Sequence, residues 1–415
     1  MGIDAQTFSR LAPQQLFGRA KGRRALDALE KQARAWSQQN ELGPFFSSTI
    51  EADNSLSITI LPTANAIDFT VSDQGIAVSF RTSNTGPGYH AAVIDLLDAL
   101  AQQLRLEWQW GSAGEYCTDE TNFALQRDFS DLQSRMANFL RQLMGSLPTD
   151  YHSRVAICIP SGLGLREEGI ACPLGVRDLK WAEYIVEADD EELLVEAKNF
   201  FPWWERERST RFWLNTLRGT LWQNVQWRAP VSKTERRTAT AVEYIAQKLE
   251  NANEPMPSDV SRALSEYRVA MELDQPPARE GIGYRRREVA HSPFTGWQLS
   301  LPGYLIESTE DDGTTVVYHH ASTVLRVSSL TADKKNGKPF NWPSSLREEQ
   351  TFESNNLMWR KEDAVIGEDG SFSQFTLVVH DGETRANLLL LTFTSDCQGK
   401  LGTFDEWLAN VRFRP

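Results

Sequence analysis

The sequence predicts an α+β protein of more than one domain, and three observations carry that prediction. Strand-like runs precede long amphipathic helices in the first 150 residues. Helical periodicity then dominates to about residue 273. Beyond a segment rich in proline and glycine, apolar residues recur with a period of two. With 40% hydrophobic and 24% charged residues over 415 positions, the chain is not disordered, collagenous or coiled-coil as a whole.

From the N-terminus, Leu26, Leu29, Ala33 and Trp36 form one apolar stripe and predict a helix over Arg23–Trp36. Strands are expected at 56–61, 66–71 and 76–82, the last two joined by the turn Ser72-Asp73-Gln74-Gly75. Helices follow at about 90–104 and 128–144. This first region, 1–150, reads as an α+β domain. Region 151–273 opens on the strand Val155–Ile159, with Cys158 as a small buried hydrophobe. It continues as helices at about 189–198, 210–225, 234–250 and 258–271, with Ser258 and Asp259 as caps after Pro255 and Pro257. It is a mainly helical region that can pack with 1–150 as one unit. Residues 274–283, containing Pro276, Pro277 and Gly281, form the expected linker.

The region 284–415 is punctuated by Asp312-Gly313, Asp369-Gly370 and Asp381-Gly382. The last pair links Phe375–Val379 to Asn387–Thr394 as a hairpin. A closing helix places Phe404, Trp407, Leu408 and Val411 on one face. An antiparallel sheet of five or six strands with that helix packed on one side buries these residues most economically.

Charge and cysteine content bound the partners. The formal net charge is −13, which opposes general binding of a polyanion. Cys117, Cys158, Cys172 and Cys397 are scattered without C-x-x-C spacing, so neither a disulfide framework nor a zinc ribbon is expected. No apolar run approaches the ~18 residues of a membrane span. Met1–Gln6 has neither a signal-peptide core nor a myristoylation signal. The expectation is a soluble, cytoplasmic protein that engages neither membrane nor nucleic acid.

Residues about 292–415 carry Gly296-Trp297-Gln298-Leu299-Ser300-Leu301-Pro302 near their start. They end on a late hairpin, Phe404-Asp405-Glu406-Trp407-Leu408 and Val411-Arg412-Phe413. In these features the segment resembles the small α/β sandwich family of PsbP-like and DcrB-like proteins. The resemblance implies a non-catalytic domain that binds protein partners, as the chaperone-like members of bacterial secretion do.

Three segments are candidate sites. Asp178 with Glu196-Ala197-Lys198 matches the PD-(D/E)xK pattern of Mg²⁺-dependent nucleases. That chemistry requires Glu196 and Lys198 on one side of a strand. The stronger reading of the same residues is a helix, with Asp189 and Glu192 at capping-box spacing and Lys198 in the last turn. On a helix, positions i and i+2 diverge by about 200° and the site dissolves. Mg²⁺ is implied only by the nuclease reading; otherwise no cofactor or metal is expected.

The second candidate is Gly86-Pro87-Gly88-Tyr89-His90, an anion or small-ligand site if the backbone N–H groups of a helix start are open. It lacks the lysine of a P-loop, and His90 with Asp95 and Asp98 is not a metal set. The third is the run from Phe200 to Arg237, in which aromatics alternate with arginines. Core packing, a partner surface formed by Trp203, Trp204, Arg206 and Arg208, and nucleic-acid stacking are the three readings. His319 and His320 point to opposite faces of one strand. Ser161 lacks a hydrolase elbow, and Arg285-Arg286-Arg287 reads as a solvated run. The expectation is an adaptor-like or chaperone-like protein that binds another protein, with a Mg²⁺ nuclease and an anion sensor as alternatives.

Overall fold

The structure, a computed structural model, describes residues 3–10, 19–51, 54–111, 118–147, 154–159, 169–273, 277–311, 313–331, 347–351, 357–366, 372–381, 387–395, 407 and 411–413. It is a multi-domain α+β protein of two compact units. The first comprises Met1–Leu273 with Glu280–Tyr284, and the second Asp274–Arg279 with Arg285–Pro415.

The first unit contains β1 (Asp4–Arg10), α1 (Arg19–Gln39), β2 (Ser47–Glu51), β3 (Ser55–Thr59), β4 (Ile67–Ser72), β5 (Gly75–Arg81) and α2 (Pro87–Leu104). The strands form one antiparallel sheet in the order β1-β5-β4-β3-β2. In β4, buried Ile67, Phe69 and Val71 alternate with exposed Asp68, Thr70 and Ser72, the pattern of a sheet with one face on the core. Leu26, Leu29 and Ala33 of α1 are fully buried in the same core, where α1 packs on β3, β4 and α2.

Next come α3 (Phe123–Gln126), α4 (Phe129–Gly145), β6 (Arg154–Ala156), β7 (Gly169–Cys172), β8 (Gly175–Arg177), α5 (Leu179–Glu187), α6 (Asp190–Phe200), α7 (Thr210–Gln223), α8 (Lys233–Asn251) and α9 (Ser258–Leu273). Local chemistry sets most of the helix starts. Asp128, Asp178, Asp189, Ser209 and Ser232 each accept a backbone N–H of the first turn. The strand expected over Val155–Ile159 stops at Ala156. Cys158 takes φ +53, leaves the ladder, and is half-buried rather than buried. A single core cluster runs from Ile3 to Tyr267, so regions 1–150 and 151–273 share one interior.

One joint ties these two regions together. Segment 201–205 crosses the start of α2, where the Gly88 N–H donates to the Trp203 carbonyl at 3.0 Å and the Trp203 N–H donates to Thr85 O at 2.8 Å. The Trp203 ring is fully buried between Tyr89 and Phe212, with ring centroids at 6.3 and 4.6 Å. This approach requires two glycines. Gly86 has φ +111, and a Cβ on Gly88 would lie 2.1 Å from Trp203 Cδ1 and 2.2 Å from Glu205 O.

The second unit is β-rich: β9 (Glu288–His291), β10 (Trp297–Pro302), β11 (Ile306–Thr309), β12 (Thr315–His320), β13 (Thr323–Thr331), β14 (Arg347–Thr351), β15 (Leu357–Ile366), β16 (Phe372–Asp381), β17 (Asn387–Ser395) and β18 (Arg412–Phe413). In place of one sheet of five or six strands there are two: a seven-stranded sheet, β11-β12-β13-β17-β16-β15-β14, and a three-stranded one, β18-β10-β9. The β16–β17 hairpin pairs His380 with Leu388, while Gly382 lies outside the described residues. Of the expected closing helix, Trp407 and Val411 are described. Both are buried in the core of this unit, Trp407 edge-on to Phe393 at 5.7 Å. Phe404, Leu408, Asp312 and Asp369-Gly370 lie outside the described residues. Arg285-Arg286-Arg287 is not the solvated run expected, since Arg286 is 2% exposed.

Gly88→Ala is expected to lose about 2–3 kcal/mol of stability, because its new methyl meets the main chain of Glu205 and cannot be accommodated by a side-chain rotation. A shift of the urea midpoint at unchanged slope measures this. A variant as stable as the parent would show that the Trp203 joint is not locked.

Candidate functional site

The structure dismantles the three sequence-level sites, each for a local reason. Residues 193–198 lie within α6, not on a strand. Asp189 accepts from the N–H groups of Glu191 and Glu192, and the Glu192 carboxylate accepts from the Asp189 N–H, closing the capping box. Glu196 and Lys198 therefore diverge. Glu196 accepts from Trp181 Nε1 at 2.8 Å and Lys198 pairs with Glu205 at 2.8 Å. Asp178 caps α5 through the Trp181 N–H at 2.8 Å. The geometry that the Mg²⁺ nuclease needs is absent at these residues.

The expected anion site at Gly86, Gly88, Tyr89 and His90 is interior. All four residues are buried, and the Gly88 N–H is occupied by Trp203 O. Tyr89 donates its hydroxyl to Asn65 O at 2.9 Å. The glycines admit segment 201–205 of this chain rather than a ligand.

Trp203 and Trp204, expected on a partner surface, are core residues at 0% and 6% exposure. They belong to a chain of ring contacts running Trp181–Phe200–Phe201–Trp204 and Trp203–Phe212–Trp213–Tyr244. The arginines among them hold internal partners. Arg206 pairs with Asp95 at 3.2 Å, Arg208 donates to Asn40 Oδ1 at 3.4 Å, Arg211 to Asn199 Oδ1 at 2.6 Å, and Arg218 pairs with Asp259 at 2.7 Å. Stacking on single strands needs exposed rings beside available cations, and the tryptophan and phenylalanine rings of this run are buried.

What the fold brings together instead is a polar groove of about 630 Å³ at the start of β1. One wall is Ile3, Asp4 and Arg81, the second is Glu120 with Thr121, and the third is the α4 face Arg135, Asn138, Phe139 and Gln142. Arg81 holds Asp4 across the β1–β5 ladder through Nε–Oδ1 at 2.6 Å and Nη2–Oδ2 at 3.0 Å. Arg135 donates from Nε to Asp131 at 2.7 Å, one turn back on α4. Asn138 accepts from Arg141 Nη1 at 3.2 Å.

Behind the groove lies a buried ionic network. His90 Nδ1 meets Thr82 Oγ1 at 3.0 Å, and Nε2 meets Thr121 Oγ1 at 3.2 Å and Asp119 Oδ1 at 3.4 Å. Asp119 also accepts from the Thr121 hydroxyl at 2.7 Å, the Thr121 N–H at 2.9 Å and the Ala124 N–H at 2.8 Å. Burial by itself raises the Asp119 pKa. The His90 contact and charge, the Ala124 N–H and the Thr121 hydroxyl outweigh it and hold the carboxyl well below the usual carboxylate range. A carboxylate so stabilised is a poor proton acceptor, and the Thr121 hydroxyl is already donated to it. The network is therefore suited to fixing Glu120 and Thr121 in the groove wall.

Asp95 and Asp98, the carboxylates nearest His90 in sequence, pair with Arg206 and Arg127. The actual partners of His90 are Thr82, just beyond β5, and Asp119 and Thr121, and no local spacing signals them. His319 and His320 do alternate, half-buried and buried, along β12. Ser161, Cys117 and Cys397 lie outside the described residues, as does the side chain of His380. Among the described residues no three His, Cys, Asp or Glu side chains are placed to hold a metal ion, and no helix is long and apolar enough to cross a membrane.

No family model matches the chain, and no curated protein matches it. A solved structure from Bacteroides thetaiotaomicron VPI-5482 is similar over 30% of this chain, at 13% identity and a TM-score of 0.23. The chain spans 48% of the length of that structure.

Asp119→Asn is expected to cost about 2–3 kcal/mol at pH 7, since its amide nitrogen faces N–H donors. The folded pKa lies below the unfolded value near ~3.9. The carboxylate's contribution is therefore complete above that pH and declines as pH falls below it. Denaturation of parent and variant from pH 7 to 2.5 should show a constant gap above about pH 5 that closes on acidification. A gap that does not change with pH would refute the ionised network.

Proposed function

We propose that this chain is a non-catalytic binding protein that engages a protein partner through the β1–α4 groove. One observation carries the reading: Arg81, Arg135, Asn138, Gln142 and Phe139 line an open concavity together, with the Asp119–His90 network behind it. Guanidinium and carboxamide groups beside an aromatic ring are the chemistry of protein recognition. The volume is within the range of about 300–1,000 Å³ typical of ligand sites. The resemblance of residues 292–415 to partner-binding α/β sandwiches is in keeping with this reading, and with it we propose a cytoplasmic, bacterial protein of adaptor or chaperone type.

A photo-crosslinking residue in place of Gln142 is expected to capture one protein from host extract. A crosslinker in place of Val269, exposed on α9, should not capture it. Arg135→Glu should abolish capture at Gln142. Its stability loss should stay below about 1 kcal/mol, because Arg135 makes only an exposed i,i+4 pair with Asp131. Identical capture at both positions, or capture indifferent to Arg135→Glu, would overturn the assignment.

A further inference from the structure

We infer that the groove takes an extended peptide segment of the partner, lying along α4 and held through its main chain; this rests on the protein-binding reading above. Asn138 and Gln142 stand one turn apart on the same face of α4 and both line the groove. Four residues of α-helix rise about 6 Å. An extended chain presents same-side groups every two residues, about 6.6–6.8 Å. The two carboxamides are thus spaced to meet successive same-side peptide groups.

The chemistry matches as well as the spacing. A carboxamide carries both donors and an acceptor, the complement of a peptide unit. With Asn138 Oδ1 accepting from Arg141, its NH₂ is the part offered to an incoming carbonyl. Phe139, half-buried between the two, gives an apolar floor for an inward side chain. The lining face from Arg135 to Gln142 runs about 10.5 Å, the length of about three extended residues.

Two observations exclude other ways of filling the groove. The lining charges balance, Arg81 and Arg135 against Asp4 and Glu120, which does not select a phosphate or a nucleic acid. Strand addition to β1 is blocked, because its outer edge is already paired: Gln6 N–H to Thr118 O at 2.8 Å and Gln109 N–H to Phe8 O at 2.9 Å. Side-chain amides on α4 are the groups left to read a main chain.

The test begins with a random 12-residue peptide library displayed on phage, selected against the full chain. The best binder is synthesised and titrated calorimetrically, with N-methyl groups placed on every second amide in either of the two possible phases. One phase is expected to weaken binding about fivefold or more, and the other to leave it within about twofold, since methylation in the first phase removes the N–H that the Gln142 carboxamide oxygen accepts, one hydrogen bond of about 1 kcal/mol, while the carbonyl offered to Asn138 is kept. Asn138→Leu with Gln142→Leu, both at exposed positions, should weaken the unmethylated peptide about tenfold at unchanged Tm. Equal effects of the two phases, or undiminished binding by the double variant, would overturn the extended main-chain mode. In that case the Arg135-dependent capture would still stand as evidence of a protein partner. Failure to enrich any peptide over the double variant would overturn this mode as well.

Discussion

The fold of the first unit depends on the closeness with which segment 201–205 lies on the start of α2. Two reciprocal main-chain hydrogen bonds, Gly88 N–H to Trp203 O and Trp203 N–H to Thr85 O, join elements more than a hundred residues apart. The bonds are individually worth only about 1 kcal/mol each. Their consequence is larger, because they fix Trp203 where its ring fills the space between Tyr89 and Phe212. From there ring contacts extend to Trp213 and Tyr244 on α7 and α8. The sheet of the first 81 residues and the helices beyond 179 consequently share one interior, and neither half buries its apolar residues without the other.

The second constraint is electrostatic. An ionised carboxylate at Asp119 is tolerable in the interior only because three donors and His90 surround it. Those donors belong to segment 119–124, so the carboxylate folds its own loop around itself and anchors it to His90 of α2, beside the bridge that Asp119 makes with Ala5 of β1. The edge of β1 is then covered by 109 and 118–119, which protects a strand that would otherwise pair with other chains. Groove and covered edge are two results of the same anchored loop.

Much of this architecture is legible in the sequence, and what is not has definite causes. Amphipathic helices such as α1, α4 and α8 announce themselves because their stripes are apolar throughout. β1 does not, because its inward residues are Ala5, Thr7 and Ser9. Thr7 and Ser9 are buried by bonding Gln109 O and the Glu107 N–H, partners that no local window contains. β14 and the centre of β15, Arg360-Lys361-Glu362-Asp363, are charged and lack the alternation that marks a strand. Asp178 shows the opposite failure. Its spacing from Glu196 and Lys198 suggests a metal ligand, yet it precedes an amphipathic stretch and acts as the cap of α5, a signal present in the sequence. The groove itself joins residues from β1, β5, 120–121 and α4, so only tertiary structure assembles it.

The placement of the groove bears on what kind of recognition it supports. Its amide and guanidinium groups project from a capped helix and a paired strand, so little main-chain ordering entropy remains to be lost on binding. A chain of net charge −13 gains no long-range attraction for an acidic partner segment. The balanced lining adds none, so a neutral or acidic segment associates on this reading without electrostatic steering. Main-chain reading by Asn138 and Gln142 is indifferent to the partner's side chains. Selectivity then falls to the ring of Phe139 below and to the charged rim of Arg81, Arg135, Asp4 and Glu120, which penalises any segment that buries a charge against its own sign. A site built this way accepts a conformation first and a sequence second, which is the division of labour expected of an adaptor or a chaperone-like protein.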